Sequence, residues 1–144
     1  MYNVLDICQY ILYYYRINDK SLSNLKLQKI LYFLQAEFLV AKNTPCFSEE
    51  IMAWGCGPIV PKAYYEYRIY GGALIPNFNT KNNSYLFYGD DLSIINEMLK
   101  TTINYSPTIM TQITLKQTPW KQTYSPYFER EISHKSIKDF FGEN

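Results

Sequence analysis

Residues 23–40 read SNLKLQKILYFLQAEFLV, and the periodicity of this stretch decides the fold class. Leu27, Ile30, Leu31, Leu34 and Phe38 recur at spacings of three and four and line one face of an α-helix, while Phe33, Ala36 and Val40 line a second face beside it. A surface helix needs an apolar stripe of only about 100°. This one is apolar around most of its circumference, so it belongs inside a bundle as the spine of the core. Its polar positions are few: Lys26, Gln28, Lys29, Gln35 and Glu37. Ser23 is placed to cap the first turn by accepting a backbone N–H, although Lys26 stands where a capping box has Glu or Gln.

On the N-terminal side, Val4, Leu5, Cys8, Ile11, Leu12 and Tyr15 form a helical stripe over residues 3–17. Asn18-Asp19 makes a link short enough to suggest that this helix packs on the spine. After Val40, Asn43 and Pro45 mark a loop, residues 51–54 read as a short extended segment, and Gly55-Cys56-Gly57-Pro58 reads as a turn. Pro61 opens a third helix, KAYYEYRIY, which Gly71-Gly72 ends. Residues 74–76 and 84–88 read as short strands around the polar turn NTKNN and are expected to pair as a small hairpin. Asp90 or Asp91 caps a fourth helix over 92–102, Pro107 opens a fifth over 106–114, Thr118-Pro119-Trp120 starts another with Thr118 as its cap, and Ser133 caps a closing helix containing Ile137, Phe140 and Phe141. The expectation is a mainly α fold: a compact helical domain of about five to six helices with a small β-hairpin, spanning residues 1–144 as one domain.

Net charge is +1, from 14 Lys and Arg against 13 Asp and Glu, so the sequence shows no electrostatic footprint for nucleic acid or an anionic membrane. DNA-binding autoregulation would need a basic face that is not evident here. Cys8, Cys46 and Cys56 are odd in number and unrelated in spacing, and His134 is the sole histidine, so neither a disulfide framework nor a four-ligand zinc site is indicated. The first residues lack a signal-peptide pattern and no apolar run reaches membrane-spanning length, which gives the expectation of a cytoplasmic protein. Cys56 with His134 is the one nucleophile–base pair worth naming, and it lacks an orienting third group. GCGP lacks the spacing and the lysine of a phosphate-binding loop, and Glu49-Glu50 and Asp90-Asp91 read as solvated turn and cap residues. No catalytic residue, cofactor or metal is expected.

The compositional departure is aromatic: 17% of the chain, with 15 Tyr. A drift in base composition that raises Asn, Ile, Lys and Tyr together is the plain explanation. Tyrosine is also an interface residue, because it adds amphipathic area at low entropic cost. Tyr64, Tyr65, Tyr67 and Tyr70 fall within seven residues of one helix and cannot all face one core, so at least one is expected to meet a partner. Tyr64, Tyr67, Arg68 and Tyr70, with Trp54 and Trp120, are the candidate partner-binding residues. For the two tryptophans, packing under the GCGP turn and at the TPW helix start is the competing explanation.

Three stretches taken together resemble one family. KLQKILYFLQAEFL, then AWGCGPIVPKAYYEYRIYG, then TPW are similar to the Panacea domain, the SocA-like antitoxin domain of bacterial and phage proteins. The matching positions are Lys26 to Phe33; Ala53, Trp54, Gly57, Pro58, Ile59, Pro61, Tyr64, Tyr67, Tyr70 and Gly71; and Pro119 with Trp120. The polar and His residues that often precede the Pro-Trp are replaced here by Leu115, Lys116, Gln117 and Thr118. The resemblance implies a non-enzymatic protein that neutralises a co-encoded toxin by direct contact, or an adaptor that delivers a partner to a protease. A phage-encoded inhibitor of a host defence protein such as a nuclease is the alternative. A protein partner is expected, either the cognate toxin or a host protein, and homodimerisation is left open.

Overall fold

Two long helices open the chain in a computed structural model that describes residues 1–142. The first, α1 (Val4–Ile17), begins where the Asn3 side chain accepts the Leu5 N–H at 2.8 Å, and the link after it turns through Asp19 at a φ of 55°. The spine, α2 (Asn24–Lys42), begins where the Ser23 hydroxyl accepts the Lys26 N–H at 3.3 Å and closes on Asn43 in the left-handed conformation. Thirteen of its 19 residues are buried, as a helix apolar on most sides demands.

A tight antiparallel hairpin follows, β1 (Met52–Trp54) and β2 (Gly57–Ile59), with Met52 opposite Ile59 and Trp54 opposite Gly57. Then come α3 (Pro61–Tyr67), continued by a 3₁₀ turn over Arg68–Tyr70, a second 3₁₀ turn over Ser84–Leu86, and α4 (Asp91–Thr102), α5 (Pro107–Leu115), α6 (Thr118–Lys121) and α7 (His134–Gly142). The spine packs against α3, α4, α5, α7 and β2, and one connected apolar core runs from Val4 to Ile137. The fold is therefore mainly α with a small hairpin, and among the described residues seven α-helical segments surround or form the spine.

Several details differ from the sequence-based expectation. The hairpin is not built from residues 74–76 and 84–88. Ser84–Leu86 is a 3₁₀ turn, and Leu74 makes a single bridge to Ser23 beside an Ile75 N–H to Leu22 C=O bond of 2.9 Å. Each of these short segments offers one buried anchor, Ile75 or Phe87, and Pro76 lacks the N–H that a ladder needs, so each docks separately on the helices. The extended segment at 51–54 instead pairs across the glycine turn.

The backbone of α1 runs closer to α3 than to its sequence neighbour α2, while its buried stripe joins that of the spine in the one apolar core. It also meets the spine through Lys26, whose ammonium lies 5.2 Å from the Tyr15 ring centroid. Asp90 is the residue before α4, but its carboxylate pairs with Lys42 and leaves the helix end without a side-chain cap. Gln117, not Thr118, precedes α6. Ser106 and Ser133 cap as their positions imply, accepting from Ile109 N at 3.1 Å and Ser136 N at 3.0 Å.

Candidate functional site

Asn24, Gln28, Lys29 and Gln35 of the spine are buried and hold the loops, while Glu37 faces outward. Pro58 has no N–H, and its carbonyl accepts from the Lys29 ammonium at 3.0 Å. Val60, which precedes α3 and has no capping side chain of its own, donates its N–H to Gln28 Oε1 at 2.9 Å. Gln28 Nε2 donates in turn to Asn24 Oδ1 at 3.0 Å, and Asn24 Nδ2 donates to the Tyr64 carbonyl at 3.1 Å. Two turns of α2 thereby fix both the outer edge of β2 and the start of α3. One turn pair further along, Gln35 accepts the Cys46 N–H at 2.7 Å and donates to the Phe47 carbonyl at 2.8 Å, pinning the loop that leads into the hairpin. Buried backbone groups off the ladder need such partners, because leaving one unmade costs about 1–3 kcal/mol.

Lys29 is fully buried, and among the described residues it forms no ion pair. Burial lowers its pKa to about 8, offset in part by the nearby Cys56 thiol. Gly57 makes room for it: at a φ of 107°, a Cβ there would sit 2.9 Å from Thr114 Oγ1 and 3.1 Å from Lys29 Nζ.

The hairpin so fixed presents Trp54. Its ring meets Tyr64 edge-on at 5.1 Å and Tyr65 at 6.2 Å, Tyr64 meets Tyr65 at 5.7 Å, and the Arg68 guanidinium lies 5.2 Å from the Tyr65 centroid. Behind the hairpin, Trp120 donates its indole N–H to the Trp54 carbonyl at 2.7 Å and stacks on Tyr124 at 4.8 Å. A groove of about 320 Å³ opens between these two halves, lined by Trp54, Gly55, Tyr124, Tyr127, Phe128 and Glu129. Tyr127 and Phe128 stand 84% and 68% exposed at its rim.

Of the residues singled out from sequence, Trp54, Tyr64, Arg68 and Trp120 come together here, with Trp120 acting as the brace beneath. Tyr67 and Tyr70 do not. Tyr67 is buried on the α1 side, its hydroxyl accepting from Gln9 Nε2 at 3.4 Å, and burial pushes its pKa up. Tyr70 is exposed on that same side, beside Phe78. Tyr65, one of the four helical tyrosines but not one of the six candidates, joins the site, as do Tyr124, Tyr127 and Phe128, which the sequence did not single out. Tyr65 stands three residues before Arg68, the spacing that puts two side chains on one helix face and so marks it in the sequence, whereas the TYSPYFE stretch carries no periodicity that places it.

Cys56 lies exposed at the hairpin turn, whereas His134 sits on α7 with Nε2 3.3 Å from the Gln35 amide. No group of three or more His, Cys, Asp or Glu able to hold a metal exists among the described residues. No helix among them is long and apolar enough to cross a membrane. What the arrangement offers is contact chemistry: a rigid aromatic face with a cation beside it.

The family described as Antitoxin SocA-like, Panacea domain, matches residues 27–121. Among curated proteins, Antitoxin SocA of Caulobacter vibrioides (strain NA1000 / CB15N) is 46% identical over 46 residues, which is 32% of this chain and 24% of that protein. The matched segment thus spans about a quarter of that relative's length. No solved structure matches the chain.

Proposed function

The chain belongs to the SocA-like antitoxin family with the Panacea domain, and from that premise we propose that it is a non-enzymatic antitoxin that neutralises a toxin by direct protein contact. The observation that carries this reading is the aromatic face built by Trp54, Tyr64 and Tyr65 with Arg68 beside it. Rigid, half-exposed aromatic and Arg residues are the side chains that dominate protein interfaces, since they bury large area while giving up little entropy. The braces from Gln28, Lys29 and Trp120 preform the face, so little ordering is needed on binding.

The test is to co-produce the chain with the product of its neighbouring reading frame, measure that product's toxicity alone and with the chain, and titrate the purified pair. A stoichiometric complex that restores growth is expected. Tyr65→Ala combined with Arg68→Ala should weaken the complex at least tenfold while leaving the melting temperature within a few degrees, because both side chains are exposed. Tyr67→Ala is unsuitable for this purpose, since truncating a buried ring costs about 3–5 kcal/mol of stability. A complex whose partner disappears from cells, with growth rescue lost when the host protease is removed, would overturn direct neutralisation and favour delivery of the partner to a protease.

A further inference from the structure

We infer that the extended edge at residues 129–131 is a docking strand, onto which an extended basic segment of the partner adds as a further strand of the small sheet. The inference rests on the partner-binding reading above and specifies how that partner is held. Ala53 N–H donates to the Arg130 carbonyl at 2.9 Å and Ile132 N–H to the Ile51 carbonyl at 2.8 Å, with Met52 and Glu131 forming the antiparallel bridge between them. This segment therefore runs antiparallel beside β1, joined to the two-stranded sheet by a single bridge. Because the groups facing β1 belong to Arg130 and Ile132, the alternation of the ladder turns the N–H and C=O of Glu131 to the outer side. Neither has a backbone partner among the described residues. The opposite edge of the sheet is closed by Gln28 and Lys29 of the spine, so the sheet has one closed edge and one open edge.

An open edge invites a strand, and its side chains decide which strand is admitted. Glu129, Arg130 and Glu131 are all exposed, and neither glutamate takes part in an ion pair among the described residues. The pleat puts Glu129 and Glu131 on one face, where cross-strand neighbours stand about 4.5–5.5 Å away and opposite charges pair favourably. A strand with Lys or Arg at alternate positions fits. A second copy of this chain does not, because two-fold antiparallel pairing about residue 130 or 131 would set glutamate against glutamate. Beside the edge, the groove between Trp54, Tyr124, Tyr127 and Phe128 offers an apolar seat for a side chain of the same incoming segment.

Hydrogen–deuterium exchange and titration of the chain with the purified product of the neighbouring reading frame test this. The Glu131 amide should exchange at least tenfold more slowly in the complex. Glu131→Pro removes only an outward-facing N–H, and it should lower affinity at least tenfold with the melting temperature maintained; Glu131→Lys should do the same by reversing the charge. If a tight complex forms and the Glu131 amide keeps its free rate, the docking strand is overturned while partner binding stands. If the wild-type chain binds no such product, the partner-binding reading itself fails. Should Glu131→Pro unfold, the exchange rate in the wild-type complex decides. Protection of the same amide in a self-associated form, without the partner, would assign the edge to a second copy and overturn the proposal.

Discussion

Gly57 stands at a φ of 107° with Thr114 Oγ1 and the Lys29 ammonium closing on the place a side chain would take. Both the backbone and the space demand glycine, so Gly57→Ala should lower the unfolding free energy by about 2–3 kcal/mol, read from the urea midpoint at unchanged slope. Gly55 in the same turn has no positive φ, and an added Cβ there would lie 3.6 Å from the Tyr124 hydroxyl, an ordinary contact. Gly55→Ala is therefore expected to shift stability by less than about 0.5 kcal/mol. The pair separates a glycine that the site needs from one that the turn merely contains. Sequence alone marks both equally, since the difference lies in what α2 and α5 bring against the turn.

At the scale of elements, α2 is read correctly for its first apolar face, its second face ends in an exposed Val40, and its polar positions are read incompletely. The spacing of Leu27, Ile30, Leu31 and Leu34 makes it the core helix, and all four are fully buried. Gln28, Lys29 and Gln35 stand in the sequence only as polar interruptions of an apolar helix, yet each is fully buried and holds backbone from another segment. Periodicity reports how side chains partition between core and water; it carries no information about which distant carbonyl a buried amide will find. The same limit explains the hairpin. Residues 52–59 pair because the spine grips Pro58 and Val60 from outside, an anchor that residues 74–88 lack. Replacing Gln28 by Leu should leave α2 helical while stranding the Val60 N–H, costing about 1–3 kcal/mol. The Val60 amide should then exchange hydrogen markedly faster than in the wild type, with the amides of α1 little changed. Equal rates at Val60 would mean that the helix start is held by packing alone. The candidate site follows the same logic: the helical tyrosines and Trp54 were legible from composition and motif, but the division of Tyr64 and Tyr65 from Tyr67 depends on where α1 lies.

For the molecule as a whole, the buried ionisable groups set how stability responds to alkali. Lys26 and Lys29 both have pKa values lowered from 10.5 to about 8, chiefly by burial. Between these limits the unfolded chain holds protons that the folded chain has released, so stability rises with pH from about 8 upward. Cys8 and Cys46 act oppositely. Burial raises both thiols, Cys46 to about 12, so the unfolded chain loses these protons first and stability declines as pH passes 9. Tyr15, Tyr32 and Tyr67 are pushed up by burial as well, and they add to the decline above pH 10, where Lys42 also begins to lose its advantage over the unfolded chain, its pKa being raised by hydrogen bonds to Asp90 and Asp91. The unfolding free energy should therefore climb from pH 7.5, level between about 9 and 10 where two lysines offset two thiols, and fall steeply beyond. Lys29 alone contributes about 1 kcal/mol to the climb between pH 8 and 9. Urea midpoints across this range, for the wild type and Lys29→Met, check it: the variant should show a shallower climb and the same steep fall. A variant curve parallel to the wild type throughout would mean that the Lys29 amine keeps its proton in the fold, and that its bond to the Pro58 carbonyl compensates fully for burial.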